Sequence, residues 1–113
     1  MDAYQMLAEA IAAKQQVAAR YHGEARVFSP HALGMKRGVA HVLVYQFAGG
    51  SQSGLPPEGE WRCFSLEELS HIQVESGAWH TAENVFNPQS CLDEIDVLAE
   101  PLPPRAAATR RSG

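Results

Sequence analysis

The stretch AHVLVYQFA, residues 40–48, constrains the fold of this chain more than any other feature. β-Branched and aromatic residues fill it, and no glycine or proline interrupts it, which is typical of a β-strand. In a strand, alternate side chains point to opposite faces of the sheet. One face carries Val42, Val44 and Gln46, and the other carries His41, Leu43, Tyr45 and Phe47. Because both faces are mostly apolar, we expect a central strand that is covered on both sides.

The N-terminal segment predicts an amphipathic helix. From Ala3 to about Val17, apolar residues recur with the spacing of one helix face, at Tyr4, Leu7, Ala8 and Ile11. Asp2, followed three residues later by Gln5, predicts the N-terminal cap of this helix. We expect the apolar face to lie on the sheet.

Between the helix and the central strand, the sequence predicts a hairpin. The turn His22-Gly23-Glu24 separates strands expected at about residues 18–21 and 26–29. Pro30 follows in the second strand, where we expect a bend or bulge, because proline cannot donate a hydrogen bond to a sheet. Gly34 then leads to a turn at Met35–Gly38.

The second half of the chain begins with a long Gly/Ser/Pro-rich loop, Gly49–Glu60. A strand at 61–65 follows, with Trp61, Cys63 and Ser65 expected on its inward face. One helical turn at 66–69 then leads to a strand at 70–76, with Ile72 and Val74 inward.

Beyond Gly77, Asn87-Pro88 predicts a turn, and Ser90 predicts the cap of a short helix over 91–100. The predicted order is one helix, about five strands and a terminal helix, which favours a small barrel or a strongly curved sheet.

The charged residues divide the chain into an acidic body and a basic end. Three of the nine Lys/Arg residues lie in the Pro/Ala-rich residues 101–113, which we expect to be a disordered tail. Residues 1–100 then form a single domain with six basic and thirteen acidic residues, a formal net charge of −7. Because such a body repels a phosphate backbone at long range, non-specific coating of DNA is disfavoured.

The N-terminus is acidic and amphipathic, unlike an export signal, and no segment has the roughly 20 apolar residues of a membrane span. We therefore expect a cytoplasmic protein with no membrane partner. In that compartment, Cys63 and Cys91 are expected to be reduced thiols rather than a disulfide.

The sequence also lacks the spacings that carry catalysis or metal binding. Its five histidines form no H-x-x-x-H or H-x-H pattern, and its glycines form no phosphate-binding loop. Cys63, expected mid-strand and inward, would be an inert apolar group. The sequence thus predicts a protein that is not an enzyme, binds no metal and needs no cofactor.

Arginines beside aromatic residues on predicted strands remain as candidate binding groups. Arg20, Arg26 and Arg62 lie close to Tyr21, Phe28 and Phe64, respectively. A guanidinium held on a sheet can grip a phosphate or carboxylate through two N–H groups. In the alternative interpretation, these arginines only form cross-strand ion pairs with Glu24, Glu60 or Glu68.

Three motifs in this order resemble the WYL domain over about Leu7–Ile72: Y-x(4)-R-V-F-S-P-H-x-L-G, V-L-V-Y-Q and E-W-R-C-F-S-L-E-E-L-S-H-I. The resemblance implies an SH3-like or Sm-like β-barrel and a bacterial module for ligand sensing or nucleic-acid binding in transcription regulation. Tyr21, Arg26, Pro30, Arg62 and Phe64 match the family pattern by position. Two features depart from it: Ala40-His41-Val42 stands in place of the Trp-Tyr-Leu triplet, and Glu68 stands in place of an arginine.

We therefore expect an α+β, mostly β fold, in which an N-terminal helix packs on a small SH3-like or Sm-like barrel of about five strands, with a short C-terminal helix. The expected function is non-enzymatic binding of a small anionic ligand or a nucleic-acid end. Arg26 and Arg62 would grip the anion, and Tyr21, His31 and Gln46 would shape the site. The alternative is a protein-interaction module, either a homodimer or the partner of a separate regulatory protein.

Overall fold

One helix and six strands form the described part of the chain, which comprises residues 2–49, 59–77, 79 and 91–99 of a computed structural model. In chain order, the elements are α1 (Ala3–Ala13), β1 (Gln16–Tyr21), β2 (Glu24–Lys36), β3 (Val39–Gly49), β4 (Glu60–Ser65), a 3₁₀ turn (Leu66–Glu68), β5 (Leu69–Glu75) and β6 (Glu94–Leu98). Most of the predicted 49–60 loop, the predicted Asn87-Pro88 turn, the cap at Ser90 and the tail 101–113 lie outside the described residues.

Helix α1 begins where the sequence predicts and ends earlier. Asp2 Oδ1 accepts a hydrogen bond from the backbone N–H of Gln5 at 2.9 Å, which caps the N-terminus. The helix ends at Ala13 rather than near Val17, because Lys14 adopts the left-handed conformation with φ 54°. Leu7 and Ile11 are buried against the sheet, as the apolar stripe predicts.

The sheet is antiparallel and is organised by its longest strand, β2. The strand order is β4-β3-β2-β1-β5, so β3 is an interior strand as predicted, and β6 also pairs with β2. Turns at His22-Gly23 and Arg37-Gly38 connect β1 to β2 and β2 to β3. Both residues of each turn have positive φ, between 53° and 80°, as type I′ turns require. The predicted hairpin is therefore confirmed.

Pro30 lies at a bulge in β2, which confirms the predicted bend. The register of the β2–β3 ladder shifts between Pro30 and Ala32, so His31 is the extra residue. On the other edge of β2, the β1 ladder ends at Phe28 and the β6 ladder begins at Ala32. Pro30 thus falls between these two ladders, where its missing N–H removes no bond to either strand.

Gly34 lies where β6 crosses close to β2. A Cβ atom at this position would come within 1.8 Å of the Glu94 carbonyl oxygen, and the β2–β6 register shifts between Leu33 and Gly34. Any side chain here would push the β6 backbone away, so this close approach requires glycine.

Both faces of the sheet are covered, which agrees with the two apolar faces of β3. On the side of α1, the buried core comprises Leu7, Ala10, Ile11, Val17, Ala19, Phe28, Leu33, Val42, Val44, Phe64, Leu69 and Ala99. The smaller core on the other side comprises Ala32, Leu43, Cys91 and Leu92, with Trp61 and Leu98 packed against it. The second core depends on residues that follow position 90.

Cys63 and Cys91 form a disulfide, so the prediction of two reduced thiols is wrong. Their Cα atoms lie 5.6 Å apart although 28 positions separate them in the sequence. The sequence separation does not indicate that the two cysteines are close in space. They come together only because the chain returns to pair β6 with β2. The predicted inward orientation of Cys63 is also wrong. Cys63 is exposed, whereas its neighbour Phe64 lies in the helix-side core.

The C-terminal helix predicted over 91–100 is wrong, because residues Glu94–Leu98 form strand β6. The spacing of Leu92, Ile95 and Leu98 suggested one helix face, yet Leu92 is fully buried and Ile95 is 42% exposed. The free edge of β2 offers a complete ladder to this segment, and that tertiary pairing overrides a short periodic pattern. A hydrogen bond from the Tyr4 hydroxyl to Asp96 also holds β6 to α1.

The mostly β fold with an N-terminal helix packed on the sheet is confirmed, but the sheet is not closed into the predicted barrel. In the described part of the chain, no ladder joins β4 to β5, which are linked instead through the 3₁₀ turn Leu66–Glu68. Strand β5 is confirmed, but Val74, predicted inward, is 36% exposed. His71 in β5 has φ 53°, and the β1–β5 register shifts beside it. This irregularity bends the end strand.

Candidate functional site

The guanidinium of Arg26 is buried beside a pair of stacked aromatic rings. Arg26 lies near the start of β2 and is 4% exposed. Its Cζ atom lies 5.4 Å from the centre of the Tyr21 ring and 5.5 Å from that of Phe64. These two rings stack on each other at 4.3 Å. The ring faces attract the cation and replace part of its lost hydration.

Few hydrogen bonds compensate this buried cation. Its Nη2 donates to the Tyr21 carbonyl oxygen at 3.4 Å and to Glu24 Oε1 at 3.3 Å, both long for hydrogen bonds. The buried Nε–H has no hydrogen-bond partner among the residues that the structure describes. A guanidinium carries five N–H donors and binds carboxylates best through two of them. The contact with Glu24 uses only one carboxylate oxygen.

Tyr21 extends the aromatic cluster toward the surface. Its ring stacks on the imidazole of His22 at 4.2 Å, and its hydroxyl accepts a hydrogen bond from the Ser65 N–H at 3.2 Å. His22 Nε2 in turn contacts the carboxylate of Glu68. The hairpin turn and the end of β4 are therefore joined at the same place as the buried cation.

His31, the extra residue of the β2 bulge, is 1% exposed and contacts both tryptophans of the chain. The ring centres of Trp61 and Trp79 lie 4.7 and 4.4 Å from that of His31. His31 Nδ1 donates to the Ser29 carbonyl oxygen at 2.8 Å, because a carbonyl can only accept. Burial lowers the pKa of His31 from 6.5 to about 4, so the ring is neutral at physiological pH.

In neutral His31, Nε2 is therefore a hydrogen-bond acceptor. This buried atom has no hydrogen-bond partner in the described residues, and neither does the buried Nε1–H of Trp61. His31 can thus offer a ligand a lone pair but no positive charge.

Gln46 and Arg62 occupy neighbouring strands. Gln46 on β3 is fully buried, and its Nε2 donates to the Ala48 carbonyl oxygen at 3.0 Å. Arg62 lies on β4, and its side chain is 17% exposed. Its Nη2 pairs with Glu60 Oε1 at 3.2 Å.

The structure brings only some of the predicted site residues into contact. Tyr21 and Arg26 contact each other directly, whereas His31 contacts the tryptophans. Arg62 is on β4, with β3 between it and the β2 strand of Arg26. The ion pairs of Arg26 with Glu24 and of Arg62 with Glu60 agree with the alternative interpretation, although each pair lies within one strand. Whether these residues bind a ligand stays a prediction.

Two further residues of the candidate region were not singled out from the sequence. Glu24 was considered only as an ion-pair partner, but two residues before Arg26 it shares the same strand face, and that spacing could have indicated its role. Trp79 gave no usable signal, because its contact with His31 depends on how the chain returns after β5.

Across the described residues, no three His, Cys, Asp or Glu side chains are grouped as a metal site would require. No helix among those residues is long and apolar enough to cross a membrane.

This helix-capped antiparallel sheet is a small β-module, and its sequence identifies the family. The family model for the WYL domain matches residues 2–74. The chain therefore belongs to the WYL domain family, which confirms the resemblance. WYL domains are known as ligand-sensing and regulatory modules and are generally not catalytic. No curated protein and no solved structure matches the chain. Cys91 of the disulfide and strand β6 lie outside the matched residues.

Proposed function

We propose that this WYL-domain chain is a non-enzymatic sensor with a regulatory role, which binds a small anionic ligand or the phosphorylated end of a nucleic acid. Arg26 and Arg62 supply the positive charge of the site. Tyr21 flanks the Arg26 cation, while His31 and Gln46 supply neutral polar groups. The family assignment supports the sensing role, and the finer ligand class is the proposal.

The observation that carries this proposal is the buried guanidinium of Arg26. Removing a cation from water is costly unless hydrogen bonds and opposite charge compensate it. Here the compensation comes from two aromatic rings, one carbonyl and one carboxylate oxygen, each at 3.3 Å or more. An incoming phosphate or carboxylate would supply the two-point contact that Arg26 lacks.

The chemistry shared by both ligand sources is a compact anionic group. Residues 1–100 carry a formal net charge of −7, so a long nucleic acid would be repelled outside the site. A small anion or a short terminal segment avoids most of this repulsion. The proposal therefore concerns ligands that place one or two anionic groups near Arg26.

Substitution of Arg26 by lysine is expected to weaken anion binding about tenfold or more. Lysine keeps the positive charge but loses the planar arrangement of N–H groups. Calorimetric titration would compare citrate, inorganic phosphate and a 5′-phosphorylated dithymidine, at low and at physiological salt. Preference for the phosphorylated dinucleotide over its unphosphorylated form would identify a nucleic-acid end, and preference for citrate would identify a small carboxylate.

The matched control for this substitution is Arg37→Lys. Arg37 is exposed in the β2–β3 turn, at the other end of β2 from Arg26, and its replacement should leave every affinity unchanged. Equal affinities for wild type and Arg26→Lys, or no binding of any of the three anions, would contradict the proposed function.

The alternative function, self-association through a sheet edge, is favoured by one observation. Strand β5 ends the sheet order, and Val74 on it is 36% exposed. An end strand can pair with a second copy of the chain. A homodimer would give a light-scattering mass of two chains that falls toward one on dilution, and Val74→Lys would shift it to one. A mass of one chain at all concentrations would rule this out.

A further inference from the structure

The side chain of Glu24 occupies the place at Arg26 that an anionic ligand needs. Its Oε1 lies 3.3 Å from Arg26 Nη2, and Glu24 is the anionic partner of this cation among the described residues. The two side chains differ sharply in exposure, since that of Arg26 is 5% exposed and that of Glu24 is 40% exposed. The cation is fixed in the sheet, whereas the carboxylate reaches it from the surface.

The position of Glu24 makes its carboxylate easy to displace. Glu24 is the first residue of β2, directly after the type I′ turn at His22-Gly23. A half-exposed carboxylate regains hydration when it leaves its partner, so such pairs contribute little net stability. Its one-point contact is also weaker than the two-point contact of an external carboxylate or phosphate.

We propose that Glu24 is a built-in competitor that holds the anion site of Arg26 closed until an external anion replaces it. This inference rests on the proposed function and assigns its regulation. Because Glu24 is tethered beside Arg26, it competes at a high effective concentration with any free ligand. Only ligands that offer a better contact than one carboxylate oxygen then occupy the site. The competitor thereby raises the threshold for sensing and favours doubly coordinating anions.

Replacement of Glu24 by glutamine is expected to increase the affinity for citrate and for 5′-phosphorylated dithymidine about threefold to tenfold. Glutamine keeps the size of the side chain and removes the competing charge. Glu24→Asp keeps the charge but shortens the reach to Nη2, so its affinities should lie between those of wild type and Glu24→Gln. Glu24→Asp thus tests the contact with Arg26 Nη2, and Glu24→Gln tests the negative charge.

Glu75→Gln serves as the matched control, because Glu75 is an exposed glutamate on β5 and its replacement changes the net charge equally. This variant should change each affinity less than twofold. The Nε–H resonance of Arg26, identified by its loss in Arg26→Lys, should shift when either anion is added to wild type or to Glu24→Gln. That shift places the anion at the guanidinium.

The possible failures are distinguishable. If wild type binds anions through Arg26 but Glu24→Gln binds no more tightly than Glu75→Gln, the competitor role is wrong and the proposed function stands. If neither wild type nor Glu24→Gln binds either anion, or if the Arg26 resonance does not respond, both the competitor role and the proposed function are wrong.

Discussion

Reduction of the Cys63–Cys91 disulfide is expected to lower the free energy of unfolding by about 3–4 kcal/mol. The bond closes a segment with a sequence separation of 28 residues, and opening such a loop returns conformational entropy to the unfolded chain. Urea denaturation followed by circular dichroism, with and without a phosphine reductant, would measure the difference. Cys63 is exposed, so the reductant can reach the bond in the folded protein.

Two variants separate the bond from the packing of its cysteines. Cys63→Ser changes an exposed residue and should reproduce the effect of reduction. Cys91 is 1% exposed, so Cys91→Ala also leaves a small cavity where the sulfur was. This variant should be at least as destabilising as Cys63→Ser. Neither variant should respond further to the reductant. A change below about 0.5 kcal/mol on reduction of the wild type would show that other contacts hold residues 91–99 in place.

Those other contacts are identifiable, and they bear on the compartment in which the protein acts. The Asp93 N–H bonds the Met35 carbonyl at 2.7 Å, and the Ala99 N–H bonds the His31 carbonyl at 2.7 Å. Disulfides are rare in the reducing cytosol. A cytoplasmic location would therefore leave β6 held by these hydrogen bonds and by the burial of Leu92, without the covalent link.

The elements that were predicted correctly are those whose signals are local. Asp2 caps α1 through a hydrogen bond from Gln5, only three residues along the chain, and His22-Gly23 favours a tight turn independently of the rest of the fold. The apolar alternation of β3 requires cover on both faces, and proline in a strand requires a break in the ladder, so the bulge at Pro30 followed directly.

The elements that were missed depend on distant pairing. Strand β6 exists because the ladder between β1 and β2 ends at Phe28, which leaves an open edge on β2 from Ala32 onward. The disulfide follows from that same return of the chain. The sheet stays open because the 3₁₀ turn after β4 leads into β5 without pairing the two strands. The residues LEEL predict a turn, but they do not indicate where the next strand will lie.

The same distinction applies to the candidate site. Tyr21 and Arg26 flank one tight turn, so sequence proximity and strand periodicity were sufficient to group them. The contact of Phe64 with Arg26 joins β4 to β2 across the intervening strand β3, which only the fold shows. His31 was expected to shape the anion site. It is 1% exposed, and one of its two tryptophan contacts is with Trp79, which the sequence alone does not place nearby.

Acidification is expected to destabilise the protein through His31 by on the order of 3 kcal/mol between pH 6.5 and pH 4. Burial lowers the pKa of folded His31 from 6.5 to about 4, and the nearby Lys14 charge acts in the same direction, against the Ser29 carbonyl bond. Above pH 6.5, both states leave the ring neutral and the stability is fully present. As the pH falls toward 4, the unfolded chain binds a proton that the folded protein excludes, so the free energy of unfolding decreases.

Urea denaturation at closely spaced pH values would measure this decrease, and His31→Gln isolates its source. Glutamine can accept or donate a hydrogen bond and does not titrate. The variant should therefore have a lower free energy of unfolding than wild type at pH 7, but that free energy should decrease less than that of wild type between pH 6.5 and pH 5. His71→Gln is the matched control, since His71 is exposed on β5 and its removal should keep the wild-type slope. Because both tryptophans contact His31, their fluorescence reports unfolding at this point of the core. Equal slopes for wild type and His31→Gln would contradict this prediction, because His31 would then accept its proton in the folded protein as readily as in the unfolded chain.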